Sequence, residues 1–364
     1  MQKNKNQILL IGPITHVHGQ GRVTYETFKI FKNHSKVDYV NTHIYNLNIV
    51  FKLLKSFAIH AIIFYYLNRI IITQQKSYIY FTPSRNFSSS IKDFLLLLSV
   101  LILKRFGKNL VLVGHLHGSD LLDLFRNNLY GTVLKYLYKI NLDTLIINSE
   151  THKEFSMGKY YKKYKIINNP IRIPKNINTR IISKKLYSNG KINILFISIP
   201  SKDKGLYESI FTIRRLLNND NWCFNVVGWN ENEFKSIYKN RPELDLKTQK
   251  KVNFLGKVND NEKFKIFLKS HLFILLSFKE AQPLTIIEAG IFKCAIVLSE
   301  IEMLLDFKKY ETVLYNNKYL TRKKILNNLR DKDNLNKISN HFLKTHSLEN
   351  YRTSILRTLK LQKN

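Results

Sequence analysis

Short runs of apolar, β-branched residues recur along the chain and alternate with longer stretches of helical period. Six stand at Gln7–Gly12, Val37–Ile44, Tyr78–Thr82, Asn109–Val113, Thr144–Asn148 and Tyr164–Asn168. Six more follow at Ile192–Ile199, Cys223–Gly228, Val252–Leu255, Leu272–Ser277, Cys294–Leu298 and Thr312–Tyr315. Near-continuous apolar runs of this length, separated by helices, predict parallel strands buried on both faces. The pattern is α/β and doubly wound, and it occurs twice. Between the two series, Ile171–Lys191 is polar and basic, contains Pro174 and Gly190, and reads as a linker. The expected division is a Rossmann-like domain over 1–171, a linker over 172–190, a second Rossmann-like domain over 191–345 and a helix over 346–364. Two such domains are expected to face each other across a cleft at the carboxyl ends of their strands. Phe57–Ile72 is interrupted by His60, Asn68 and Arg69, and Phe94–Leu103 is short, so both are expected as buried or interfacial helices rather than membrane spans.

Charge changes the picture. The 364 residues include 59 Lys and Arg against 26 Asp and Glu, a net charge of +33. Residues 1–170 hold 23 basic and 8 acidic side chains, which leaves 36 and 18 for the rest, so the excess is spread and not confined to a tail. The apolar content excludes a disordered chain. Cys223 and Cys294 are too few and too distant for a disulfide framework or a zinc site, so a reducing compartment is the default. Met1–Gln7 is polar and no secretory leader is expected. The positive charge suits nucleic acid, an anionic membrane surface or phosphorylated small molecules. No zinc-finger, basic-zipper or RNP-like pattern is present, so no nucleic-acid partner is expected. Phe51-Lys52-Leu53-Leu54-Lys55 and Leu103-Lys104-Arg105-Phe106 interleave basic and bulky apolar residues, which suits either an anionic leaflet or a helix facing its own core.

The most informative chemistry lies between Ser277 and Gly290. A buried strand runs into a loop carrying Glu280, and Pro283 opens a helix where its missing N–H is harmless. The backbone N–H groups of Leu284, Thr285 and Ile286 would then point outward as an anion site. Glu288 follows within two turns, close enough to reach a ribose attached to that phosphate, so the two carboxylates suit opposite ends of a nucleotide-sugar. The plainer reading makes Glu288 a helix-dipole residue and Glu280 a solvated loop charge.

With its E-x7-E spacing, this strand–loop–helix resembles the family 4 glycosyltransferases of the GT-B fold. Ile194-Leu195-Phe196-Ile197-Ser198 followed by Lys204-Gly205 is similar to that family's first C-domain strand and K-G loop, and Val252-Asn253-Phe254-Leu255-Gly256 to its v-x-F-L-G strand. Gly12-Pro13 with His18-Gly19-Gln20-Gly21 resembles the family's glycine loop, and His115-Leu116-His117-Gly118-Ser119-Asp120 its H-x-H-G-x-D segment. Asn148-Ser149-Glu150, Ile167-Asn168-Asn169-Pro170 and Ser347-Leu348-Glu349-Asn350-Tyr351 also match, the last resembling a closing helix that packs back on the N-domain. The resemblance implies retaining transfer of a hexose-type sugar from a nucleotide-sugar donor, with neither metal nor other cofactor. The acceptor it implies is a saccharide, expected to be lipid-linked, used for surface polysaccharide at the cytoplasmic face of the cell membrane. By matching position, Lys204 would neutralise the diphosphate, Glu288 hold the ribose and Glu280 the sugar hydroxyls. Gly256 and Lys257 would meet the base through their backbone. Gly19 and Gly21 would admit the donor closely, and His117 would contact the sugar near the reacting carbon, with Asp120 a lesser candidate beside it. The family's arginine five positions before the lysine is Ile199 here, so either Lys202 or another basic residue supplies the second cation or the diphosphate is held less tightly. Ala281-Gln282, Leu276 and Gly290 also depart from the usual Gly-Phe, Pro and Met.

Other patterns carry less. His16-x-His18 and His115-x-His117 have chelating spacing but no third ligand, so no metal site is expected. Asp331-Lys332-Asp333 is expected to cap a helix. Two further readings keep the fold: a sugar-nucleotide epimerase, and a catalytically silent assembly subunit that binds sugar nucleotide or membrane, suggested by Ile199.

Overall fold

The computed structural model describes residues 6–15, 19–42, 49–72, 76–84, 87–118, 121–125, 129–154, 161, 163–174, 190–218, 220–280 and 282–361. The chain divides into two compact units, Met1–Pro170 with Leu348–Asn364, and Ile171–Ser347.

The first unit is built on a six-stranded sheet of order β2-β1-β3-β4-β5-β6, with every pairing parallel. The strands are β1 (Gln7–Gly12), β2 (Lys36–Asn41), β3 (Ser77–Phe81), β4 (Leu110–His115), β5 (Thr144–Ile147) and β6 (Tyr164–Ile166). β1 and β3 are buried at every position, as strands covered on both faces should be, whereas edge strand β2 is largely half-exposed. The chain steps from β1 out to β2 and then back across to β3. Right-handed crossovers therefore place helix Gly19–His34 on one face and helices Ile49–Ile72, Phe87–Arg105 and Leu129–Asn141 on the other. Helix Leu348–Thr358 packs beside Gly19–His34. The two apolar segments considered as spans lie within Ile49–Ile72 and Phe87–Arg105, and among the described residues no helix is long and apolar enough to cross a membrane.

The second unit repeats the plan with the order β12-β11-β10-β7-β8-β9, again wholly parallel. Its strands are β7 (Ile192–Ile197), β8 (Trp222–Val227), β9 (Val252–Gly256), β10 (Leu272–Leu275), β11 (Ala295–Leu298) and β12 (Val313–Tyr315). The chain starts mid-sheet at β7, runs outward to β9, then returns to the other side of β7 with β10. Strand order thus reverses between β7 and β10, and loops leaving those two strands diverge to open a crevice. Phe264, Phe267 and Phe292 stack beneath the sheet, and Gly290 lets helix Leu284–Ile291 lie against Phe342, since a Cβ there would be 2.5 Å from its ring. The Asp331 side chain accepts from Asn334 N–H at 3.0 Å and caps helix Lys332–Thr345, which accounts for the D-x-D.

Candidate active site

At the reversal point of the second unit, two loops are fastened together. β7 leads into a tight turn, Lys202–Lys204, closed by Gly205 at φ 65°. A Cβ on Gly205 would lie 1.9 Å from the carbonyl oxygen of Leu276, just past β10, so only glycine allows the left-handed turn and the close approach together. Phe278 N–H completes the fastening by donating to Asp203 O at 2.8 Å. This brings Lys204 and Glu280, seventy-six positions apart, into an ion pair with Nζ 2.5 Å from Oε1. Ser277 Oγ donates to the same oxygen at 2.9 Å, and Ser299 Oγ donates to the Ser277 carbonyl. Both ionic side chains are mostly buried yet retain some exposure, which a bound anion can exploit.

Helix Leu284–Ile291 starts from Pro283 in extended conformation. The N–H groups of Leu284 and Thr285 have no intrahelical carbonyl to reach, as at any helix start. Ile286 differs from expectation: its N–H donates to Pro283 O at 3.2 Å, because the first turn tightens, and it does not serve an outside anion. Glu288 is almost wholly buried, so it is neither a surface dipole residue nor a free carboxylate. Its Oε1 takes a hydrogen bond from Lys263 Nζ at 2.5 Å, while Oε2 is buried with no partner. Sequence reasoning missed Lys263. The available signal was a lysine on the apolar stripe of helix Asp260–Lys269, beside Phe264 and Phe267.

The remaining candidates of this unit lie around the strand ends. Gly256 ends β9, but its N–H donates to Trp229 O at 3.0 Å and its carbonyl accepts from Gly228 N–H at 2.7 Å. The Gly256 N–H is therefore committed within the protein, which leaves backbone recognition of a base to Lys257, whose side chain is exposed. Ile199 is 48% exposed beyond β7, and Lys202 is exposed on the turn that carries Lys204.

In the first unit, His115 ends β4 and is fully buried, its Nδ1 hydrogen-bonded to Tyr80 Oη. Tyr351, from the last helix, bonds Thr27 Oγ1 at 2.5 Å and lies in the same cluster, and the His117 ring is 4.0 Å from that of His115. Burial pushes the His115 imidazole down to about 3 and raises both phenols, so the cluster is neutral. Gly118 accepts at its carbonyl from the His152 ring, 2.8 Å away, which pins the segment after His117. At Gly21 a Cβ would be 2.2 Å from Thr15 Cγ2 and 2.7 Å from its carbonyl oxygen, so the missing side chain lets the chain at Thr15 pack closely. Gly19 is exposed at the start of its helix. Asp120, and His16 and His18 of the first chelating pattern, lie outside the described residues. No group of three potential metal ligands occurs among the described residues.

Residues 178–336 match the family model of glycosyl transferases group 1. No curated protein matches the sequence. Among solved structures, a glycosyltransferase from Rickettsia africae is 18% identical with a TM-score of 0.64, covering 99% of this chain and 100% of that one. Sucrose-phosphate synthase from Thermosynechococcus elongatus gives a TM-score of 0.69 at 13% identity, with 98% of each chain covered. Anabaena HepE in complex with UDP gives 0.67 at 13% identity, covering 98% of this chain and 100% of that one. The two-sheet α/β architecture is that of GT-B glycosyltransferase structures.

Proposed function

We propose that the chain is a retaining glycosyltransferase that moves a hexose-type sugar from a nucleotide-sugar to a lipid-linked saccharide, for surface polysaccharide made at the cytoplasmic face of the cell membrane. The observation that carries this reading is the Lys204–Glu280 pair fastened at the strand-order reversal, eight residues from a buried Glu288. In the reaction, the bond from the anomeric carbon to the diphosphate oxygen breaks. A new bond forms from that carbon to an acceptor oxygen on the same face, and the acceptor proton passes to the departing diphosphate. Lys204, with the N–H groups of Leu284 and Thr285, meets the charge that grows on that leaving group. Binding shifts Lys204 from Glu280 to phosphate and frees Glu280 to accept from sugar hydroxyls. Glu288 Oε2, buried without a partner, accepts from the ribose. His117 is assigned to contact the donor sugar by its match to the family's H-x-H-G-x-D segment. Lys204 supplies the cation in this scheme, and no metal is invoked.

The test is a thermal-shift screen with UDP-, GDP-, ADP- and CMP-sugars, followed by turnover with Lys204→Ala and Glu288→Ala. UDP-sugars come first because structural neighbours were solved with UDP and with UDP-glucose. Stabilisation by one donor class, with transfer lost in both folded variants, is the expected result. Wild-type turnover in either variant removes the assignment. The exposed Ile199 favours one second reading, a silent donor-binding subunit, which would bind donor without transfer or hydrolysis.

A further inference from the structure

A helix lying on a sheet ordinarily carries one apolar stripe, turned inward, and a polar outer face. Three helices of the first unit carry two such stripes. On Leu129–Asn141 the inner side holds Leu134, Leu137 and Tyr138, while Leu129, Val133, Tyr136 and Ile140 recur at spacings of four, three and four and are 81%, 39%, 61% and 38% exposed. On Ile49–Ile72, Ile59, Ile63, Leu67 and Ile70 are buried, whereas Phe51, Leu54, Phe57, Phe64 and Tyr65 are each more than half exposed. On Phe87–Arg105 a second stripe of Leu98 and Ile102 runs on to Phe106. The central helix of the three packs against both others, and this layer with Phe106 holds 14 of the 21 large apolar side chains exposed among the described residues. An apolar patch of this extent marks an interaction surface.

The surrounding charge identifies the partner. Residues 49–72, 87–108 and 129–141 contain nine Lys and Arg but one carboxylate, Asp93. Asp93 is fully buried and bonded to Lys92, Ser84 N–H and the Tyr138 hydroxyl, so it does not face outward. Lys104 and Arg69 are paired with Asp143 and Asp38 from neighbouring segments, and a second copy seated on this face would still set two net-positive layers together. We propose that this layer docks on an anionic lipid bilayer. The aromatic and aliphatic outer stripes enter the boundary between headgroups and acyl chains, while Arg105, Lys135 and Lys139 at its exposed rim meet lipid phosphates. The breadth of three neighbouring helices suits a planar partner; tyrosine is enriched at bilayer interfaces, and phenylalanine and leucine are usual on the apolar face of interfacial helices. The inference deepens the proposed function by naming the surface that reaches the membrane, and it stands apart from the transfer chemistry.

Flotation of the full chain with vesicles tests it, comparing phosphatidylcholine alone with phosphatidylcholine mixed with phosphatidylglycerol. Binding is expected to the mixed vesicles, weakening as salt rises. Leu129→Glu with Tyr136→Glu, both at exposed positions, should lower partitioning by at least about tenfold. Lys135→Glu with Lys139→Glu should lower it by a similar factor, about tenfold or more. Unchanged circular dichroism confirms that the variants fold. Absence of vesicle binding, or equal binding by wild type and both double variants, overturns the proposal. So does a concentration-dependent dimer, seen by sedimentation velocity, that Leu129→Glu with Tyr136→Glu dissolves while vesicles are never bound. A sugar-nucleotide thermal shift in the same samples shows separately whether the donor site has failed.

Discussion

The polar clusters of the two units are built from opposite materials. In the second unit the cluster is ionic, with Lys204 against Glu280 and Lys263 against Glu288. In the first it is neutral, made of Thr27, Tyr80, His115 and Tyr351. Buried ions must be paired, so each charge of the first kind depends on its partner. Buried neutral groups need only hydrogen bonds, but the cluster holds only while its imidazole stays unprotonated. One cluster is therefore vulnerable to loss of a partner and the other to acid.

The largest effect should come from stranding a charge. Lys263→Met removes the ion-pair partner of the buried Glu288 carboxylate and should destabilise the second unit by about 3–5 kcal/mol. The chain's two tryptophans, Trp222 and Trp229, are both buried in that unit, so their fluorescence reports its urea midpoint. Adding Glu288→Gln should recover most of the loss, and a midpoint unmoved by Lys263→Met would show that the pair is not needed. Next in size, Lys204→Ala should slow transfer by about 100- to 1,000-fold, as loss of one preorganised stabilising group does. The same change should lower the midpoint less than Lys263→Met does, because this pair keeps more solvent access. Equal stability losses in Lys204→Ala and Lys263→Met would erase the distinction between the two pairs.

Acid tests the neutral cluster. The folded His115 titrates near 3, below the ordinary 6.5, so between those values only the unfolded chain takes up the proton. Stability of the first unit should be flat above pH 6.5 and fall below it, by up to about 1.4 kcal/mol per pH unit. Hydrogen exchange of β3 and β4 amides at two pH values measures this, and His115→Gln should flatten the slope. The smallest effect is expected for Tyr351→Phe. It removes the hydroxyl that bonds both Thr27 and Tyr80 and should cost the first unit about 1 kcal/mol while leaving the tryptophan signal unchanged.

The twelve strands were legible because parallel strands covered on both faces leave apolar runs that few other elements produce. Their ends were less so. Leu276 and Ser277 extend the run of β10 although they make no sheet pairing, since the loop they begin is itself buried under Gly205. Val37–Ile44 overshoots β2, which ends at Asn41. Within the candidate site, Lys204, Glu280 and Glu288 were readable from spacing and resemblance. The pairing of Lys204 with Glu280 was not, because it depends on how two distant loops are fastened. Lys263 was hidden because a lysine in an amphipathic helix reads as a solvated charge unless its angular position is checked. The second apolar stripes were hidden for a related reason: hydrophobic periodicity shows that a helix has an apolar side but not which side meets the sheet.

The position of Tyr351 has a consequence for the order in which the chain matures. The cluster it joins draws its other members from residues no later than His152, yet about two hundred residues pass before the last helix supplies the phenol. During synthesis, the early half waits with that slot unfilled while the contiguous later half can complete itself as soon as it leaves the ribosome. The part of the protein translated first is thus the part finished last.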